Sequence, residues 1–110
     1  MDDVTKVLTE ARDLIAKPER WTQVAYARDA QDNCTHWSSP SAVCWCAAGA
    51  IKKAAGAASK QKIKRHDLTE LALDELRGAI GCRAVAMFND RHAHAEVLER
   101  FDRAIEGRKA

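Results

Sequence analysis

The chain has 110 residues, 46% of them apolar and 31% charged, with a formal net charge of +2 at pH 7. That length holds one hydrophobic core and excludes a second domain. The charge is too small to mark the whole molecule as a nucleic-acid binder, and no apolar run approaches the ~20 residues that cross a bilayer.

The N-terminus reads Met1-Asp2-Asp3, without the basic-then-apolar pattern of a signal peptide, so a cytoplasmic protein is expected. In that compartment its four cysteines are free thiols or ligands rather than disulfides. Asp2 or Asp3 caps a first helix, whose apolar face is Val4, Val7, Leu8, Ala11, Leu14 and Ile15. Lys17-Pro18 stops it, because the residue before proline is pushed out of the helical region. Residues 21–30 read as an irregular or short extended segment laid across the helices, anchored by Trp21 and without an obvious strand partner. Asp32 to Ser39 is a polar loop that carries Cys34, His36 and Trp37.

The centre of the chain is Val43-Cys44-Trp45-Cys46-Ala47-Ala48-Gly49-Ala50-Ile51. Ser39 at an N-cap and Pro40 at the first helical position predict a helix from Ser39 to about Ala55. Its apolar face would run through Val43, Cys46, Ala47, Ala50, Ile51 and Ala54, at helical spacing. Gly49 in a helix interior costs ~1 kcal/mol against alanine, which points to a tight crossing or a group pressed on the backbone. Lys52, Lys53, Lys60, Lys62, Lys64 and Arg65 follow with no acid among them, the strongest charge asymmetry in the chain. Asp67 and Glu70 have capping-box spacing and predict the start of a third helix with Leu68, Leu71, Ala72, Leu76 and Ile80 inward and Gly78 and Gly81 at its end. A short helix over Cys82 to Phe88 and a last one carrying Val97, Leu98, Phe101, Ala104 and Ile105, ending at Gly107, complete the chain. The expected fold is all-α: a single helical domain, 1–110, of four or five helices around the central small-residue helix.

Four segments carry a resemblance. Trp21 with Ala25-Tyr26-Ala27-Arg28-Asp29-Ala30, then Cys46-Ala47-Ala48-Gly49-Ala50, then Phe88-Asn89-Asp90, then Glu96-Val97-Leu98 with Phe101-Asp102-Arg103-Ala104-Ile105, resemble a family of small bacterial and phage proteins. Its members share W-x-Q…A-R-D-A, C-A-x-G-A, W-N-D and E-V-L motifs in this order. The resemblance covers nearly the whole chain and implies a fold but no activity. Phe88 stands where tryptophan is usual, Ala93 where a threonine would cap the last helix, and Val24 where glycine is common.

Four constellations have the residue types for chemistry. Cys34, His36, Cys44 and Cys46 suit zinc, but neighbours two apart on a helix point to roughly opposite sides, so no metal or other cofactor is expected. Cys46 as a nucleophile would need His92 or His94 as base; a small buried cysteine is the commoner case. Asn89-Asp90 reads first as a junction in which asparagine ends one helix and aspartate caps the next. Its alternative is a polar site shared with Trp21, Cys46 and Gly49. The stretch from Lys52 to Arg65 reads as a solvated face or, alternatively, a phosphate-tracking patch, with no aromatic interleaved in the sequence. The leading expectation is a non-enzymatic interaction or regulatory module that binds a protein partner or itself as a homodimer. The alternatives are a nucleic-acid-associated accessory protein and a small thiol enzyme at Cys46.

Overall fold

The computed structural model describes residues 2–109. Five helices surround the core: α1 (Asp3–Leu14), α2 (Ala47–Ala58), α3 (Lys62–Ile80), α4 (Val85–Arg91) and α5 (His94–Lys109). A small antiparallel sheet stands beside them, made of β1 (Ala27–Asp29), β2 (Cys34–Thr35) and β3 (Ala42–Trp45) in the order β2-β1-β3. The fold is therefore mostly helical but not all-α.

The first helix forms as its sequence directs. Asp2 Oδ1 accepts the Thr5 amide at 2.7 Å, and Val4, Val7, Leu8 and Ala11 are buried along one face. A single 3-10 turn, Pro18–Arg20, follows. Its successor departs from expectation. Ser39 and Pro40 do not open a helix; they lie in a turn, and residues 42–45 pair with β1. A four-residue apolar run satisfies either period, and here pairing across the sheet decided. Ala27 faces Trp45 and Arg28 faces Cys44. Val43, expected inside a helix face, is exposed. β3 is also the strand partner that the segment from Trp21 to Ala30 lacked in sequence.

Helix α2 starts only at Ala47, with Cys46 as its N-cap. Ala47, Ala48, Gly49, Ala50, Ile51, Ala54 and Ala55 are all buried, so the helix is enclosed on most sides and its small residues let α1 and α3 pack close. Helix α3 begins five residues before the Asp67 cap expected for it; Lys62 to His66 are good or neutral helix formers, and nothing after the bend at Ser59 to Gln61 interrupts them. Asp67 and Glu70 lie exposed inside it, and Leu71 faces solvent while Leu68, Ala72 and Leu76 point inward. Gly81, in the left-handed region at φ 74°, ends it by donating its amide to the Arg77 carbonyl at 2.8 Å. The last helix continues past Gly107 to Lys109, and Phe101, wholly buried, fills the centre of the core. No helix among the described residues is long and apolar enough to cross a membrane.

Candidate functional site

Residues 21–26 form a strap between the 3-10 turn and β1, lying across the start of α2 and the end of α4. The strap joins the sheet through Trp21, bridged in parallel to Trp45, and through the Thr22 amide, which donates to the Trp45 carbonyl at 3.1 Å. Beneath it sits Asn89, fully buried. Its Oδ1 accepts from Trp21 Nε1 at 2.7 Å and from the Ala47 amide at 3.0 Å. Its Nδ2 donates to the Thr22 carbonyl at 3.0 Å and to Asp90 Oδ1 at 3.2 Å. Asp90 Oδ1 in turn accepts the Val24 amide at 2.8 Å. Gln23 completes the grip: its Nε2 donates to the Asn89 and His92 carbonyls at the end of α4.

The junction reading of Asn89-Asp90 is therefore corrected. Both residues lie inside α4; neither ends it in a left-handed conformation nor caps α5, where Glu96 Oε1 instead accepts the Ala93 amide. Asn89 caps α2, from across the molecule, by taking an amide of its first turn. A carboxamide suits this place because it offers acceptor and donor at once, and both are used.

Trp21, Cys46, Gly49, Asn89 and Asp90 are thus brought together around one strap. Gly49 explains itself here. A Cβ on it would overlap the Tyr26 carbonyl oxygen, which also accepts the Cys46 amide at 3.1 Å. The strap backbone is seated directly on the helix, and only glycine leaves it room. At the tip, Val24 holds φ 72°. That region disfavours a β-branched side chain, which accounts physically for the glycine that the resemblance places at this position.

The chemistry open to Cys46 follows from these contacts. Its Sγ accepts the Gly49 amide at 3.3 Å, as an N-cap side chain does. Burial pushes its thiol pKa up; backbone amides of Gly49 and Ala48 oppose that shift, and the Asp90 carboxylate adds to it. No imidazole reaches it among the described residues. His92 Nδ1 donates to the Phe88 carbonyl at 2.8 Å and its ring stacks on Phe88, and His94 Nε2 donates to the Ile15 carbonyl at 2.7 Å. A recess of about 80 Å³ lies beside the thiol, lined by Val24, Ala25, Tyr26, Ala86 and Asp90. This is a thiol held neutral, not one activated for attack.

The cysteine-histidine set considered for zinc is dispersed. Cys34 and Cys44 sit on the outer strands β2 and β3, each opposite Arg28 of the central strand, and Cys46 caps α2. Among the described residues no three His, Cys, Asp or Glu side chains gather as a metal cluster.

The basic residues divide. Lys64 turns to Asp3 at 3.8 Å, and Lys60 lies in the bend between α2 and α3. Lys52, Lys53, Lys62 and Arg65 instead border two adjoining cavities that share Trp37 and Arg65. Thr22, Gln23, Val24, Tyr26 and Trp37 are not among the candidate site residues read from the sequence. Gln23 had a signal, as the third residue of the W-x-Q motif. Trp37 had none, since it meets the lysines only through the packing of its loop on α2.

The chain belongs to a family of unknown function (DUF6197), whose model matches residues 1–107. No curated protein and no solved structure matches it.

Proposed function

We propose that this chain is a small non-enzymatic interaction module that associates with a second copy of itself through the outer face of the strap. The observation that carries this reading is Val24, 81% exposed and held at φ 72° by Asp90. A bulky apolar residue kept in solvent and in a disfavoured conformation costs about 1–2 kcal/mol at the backbone alone, and strain of this kind collects where a surface is used. Tyr26 and Met87 are exposed on the strap and on α4. Beside Val24 lies the 80 Å³ recess, of the order of a small aliphatic side chain. A knob and a hole in one patch meet the condition for a two-fold contact, in which each copy presents both. The inward side of the strap supports the same reading: Asn89 and the Cys46 thiol are engaged with the chain itself and hold the patch in place.

Val24→Asn separates association from folding, because asparagine tolerates the left-handed region better than valine does. Sedimentation velocity over a hundredfold concentration range is expected to show concentration-dependent dimerisation of the native chain. The variant should melt no lower than the native chain yet lose the dimer. A native chain that stays monomeric throughout, or a variant that dimerises equally well, sinks the proposal.

A further inference from the structure

At the other end of α2 the chain has unpaired cations around an aromatic ring. Trp37 lies against Gly56, where a Cβ would stand 3.4 Å from its Cζ3 and 3.6 Å from Arg65 Cδ. It forms one wall of a cavity of about 510 Å³ with His36, Lys53 and Arg65, and one wall of a second, of about 150 Å³, with Lys52, Lys62 and His66, Arg65 bordering both. Neither cavity has an acidic residue in its lining. Lys52, Lys53, Lys62 and Arg65 form no ion pair among the described residues, as is also true of Lys6, Lys17, Arg20, Lys60, Arg83 and Arg91; what sets the four apart is that they gather around one ring. His36 Nδ1 lies 2.6 Å from Ser38 Oγ and 3.2 Å from the Ser38 amide, which fixes the ring beside Trp37. Lys52 is steadied over the Tyr26 ring, 5.6 Å from its centroid, rather than by a carboxylate.

We propose that this double cavity binds a single strand of nucleic acid, with one phosphate at Lys53 and Arg65, the next at Lys52 and Lys62, and a base between them against the Trp37 and His36 rings. The larger cavity has the size usual for small-molecule sites, and a chain of alternating anions and planar rings is the ligand that matches cations on both sides of an aromatic wall. Isolated inorganic phosphate would use the cations and leave Trp37 idle. A free mononucleotide would fill one cavity and leave the second empty. The inference is argued from other residues than self-association, and the two surfaces meet only where Lys52 lies over the Tyr26 ring of the strap.

The test is a tryptophan-fluorescence titration of the full chain with octathymidylate at 50 and 200 mM salt, with thymidine monophosphate and inorganic phosphate as competitors. Saturable quenching is expected, with a log–log salt slope of about −0.7 for each phosphate engaged. Lys53→Gln and Arg65→Gln should each weaken binding and flatten that slope by about 0.7. Trp37→Phe should weaken binding about fivefold or more at an unchanged slope. Lys53 and Arg65 are partly exposed and unpaired, so their variants should melt as the native chain does and keep the test clear of folding. No saturable quenching at 50 mM salt overturns the proposal, as does binding indifferent to both charge variants. Equal competition by thymidine monophosphate or inorganic phosphate overturns the strand and assigns a lone-anion site instead.

Discussion

The two ends of α2 are built on opposite terms. At the N-terminal end every polar group found under the strap has a partner within the chain: the Asn89 carboxamide joins Trp21, Thr22, Ala47 and Asp90, and the Cys46 thiol takes the Gly49 amide. At the C-terminal end four cations and a tryptophan line open cavities with no ion-pair partner among the described residues. The polar groups beneath the strap are closed on one another, whereas the cations of the second end line open cavities. The difference also shows that a shared motif is no guide by itself to an exposed site. Of the residues that carry the resemblance, Trp21, Cys46, Gly49, Asn89 and Asp90 gather around the strap, and those of α5 lie away from it.

Substitutions should separate the two ends sharply. Asn89→Ala is expected to have the largest effect. It leaves the Trp21 and Ala47 N–H groups and the Thr22 carbonyl without partners, each a loss of roughly 1–3 kcal/mol when buried, so about 3–4 kcal/mol in urea unfolding after partial relaxation. A loss under about 1 kcal/mol would show that water replaces the carboxamide and that Asn89 does not hold the strap. The two glycines of α2 sharpen the contrast within one helix. Gly49→Ala drives a methyl into the Tyr26 carbonyl and should cost about 2 kcal/mol or more, because backbone rather than a side chain must yield. Gly56→Ala meets the Trp37 ring at 3.4 Å, an ordinary contact, and gains helix propensity, so its midpoint should stay within about 1 kcal/mol of the native chain. Comparable losses at both positions would break the comparison.

Val24→Gly relieves the left-handed strain at the strap tip and should raise stability by about 1 kcal/mol, measured as a higher urea midpoint at unchanged slope. The smallest effect lies away from both ends, in the fastening of α1. Asp2 accepts the Thr5 amide and faces Arg108 at 3.0 Å, which lowers its pKa from 3.8 to about 2. A carboxylate depressed in the folded state stabilises fully above its unfolded pKa and loses that contribution as pH falls through the folded one. The stability gap between the native chain and Asp2→Asn should therefore be constant above about pH 5, shrink as pH falls from about 4 through 2, and vanish only about a unit below the folded pKa. A gap at pH 2 as large as that at pH 6 would assign it to something other than the charge.

Much of the helical frame was legible in the residues. The Asp2 cap, the faces of α1 and α5, the Leu68-Ala72-Leu76 stripe and the Gly81 terminator all follow from local rules, because capping, periodicity and left-handed glycine act within a turn or two. Gly49 was legible too as a crowded position, although not what crowded it. The boundaries that failed did so where two local readings were equally good. Ser39-Pro40 before an apolar run fits a helix start, and Asp67 with Glu70 fits a capping box; sheet pairing displaced the first and the continuous helix formers from Lys62 displaced the second.

Sequence by itself determined most of the helical frame, singled out Trp21, Cys46, Gly49, Asn89 and Asp90 as the alternative to a plain helix junction, and showed that positive charge is concentrated between Lys52 and Arg65. Tertiary structure alone decided what those groups touch. It turned Asn89 from a junction residue into the cap of a helix more than forty positions earlier, turned Cys46 into a neutral N-cap, and brought Trp37 among the lysines. The physical reason is range. Propensities and caps are set by neighbours along the chain, whereas a hydrogen bond from α4 to α2, or a ring seated on Gly56, exists only once the core has fixed the distance between elements that the sequence keeps far apart.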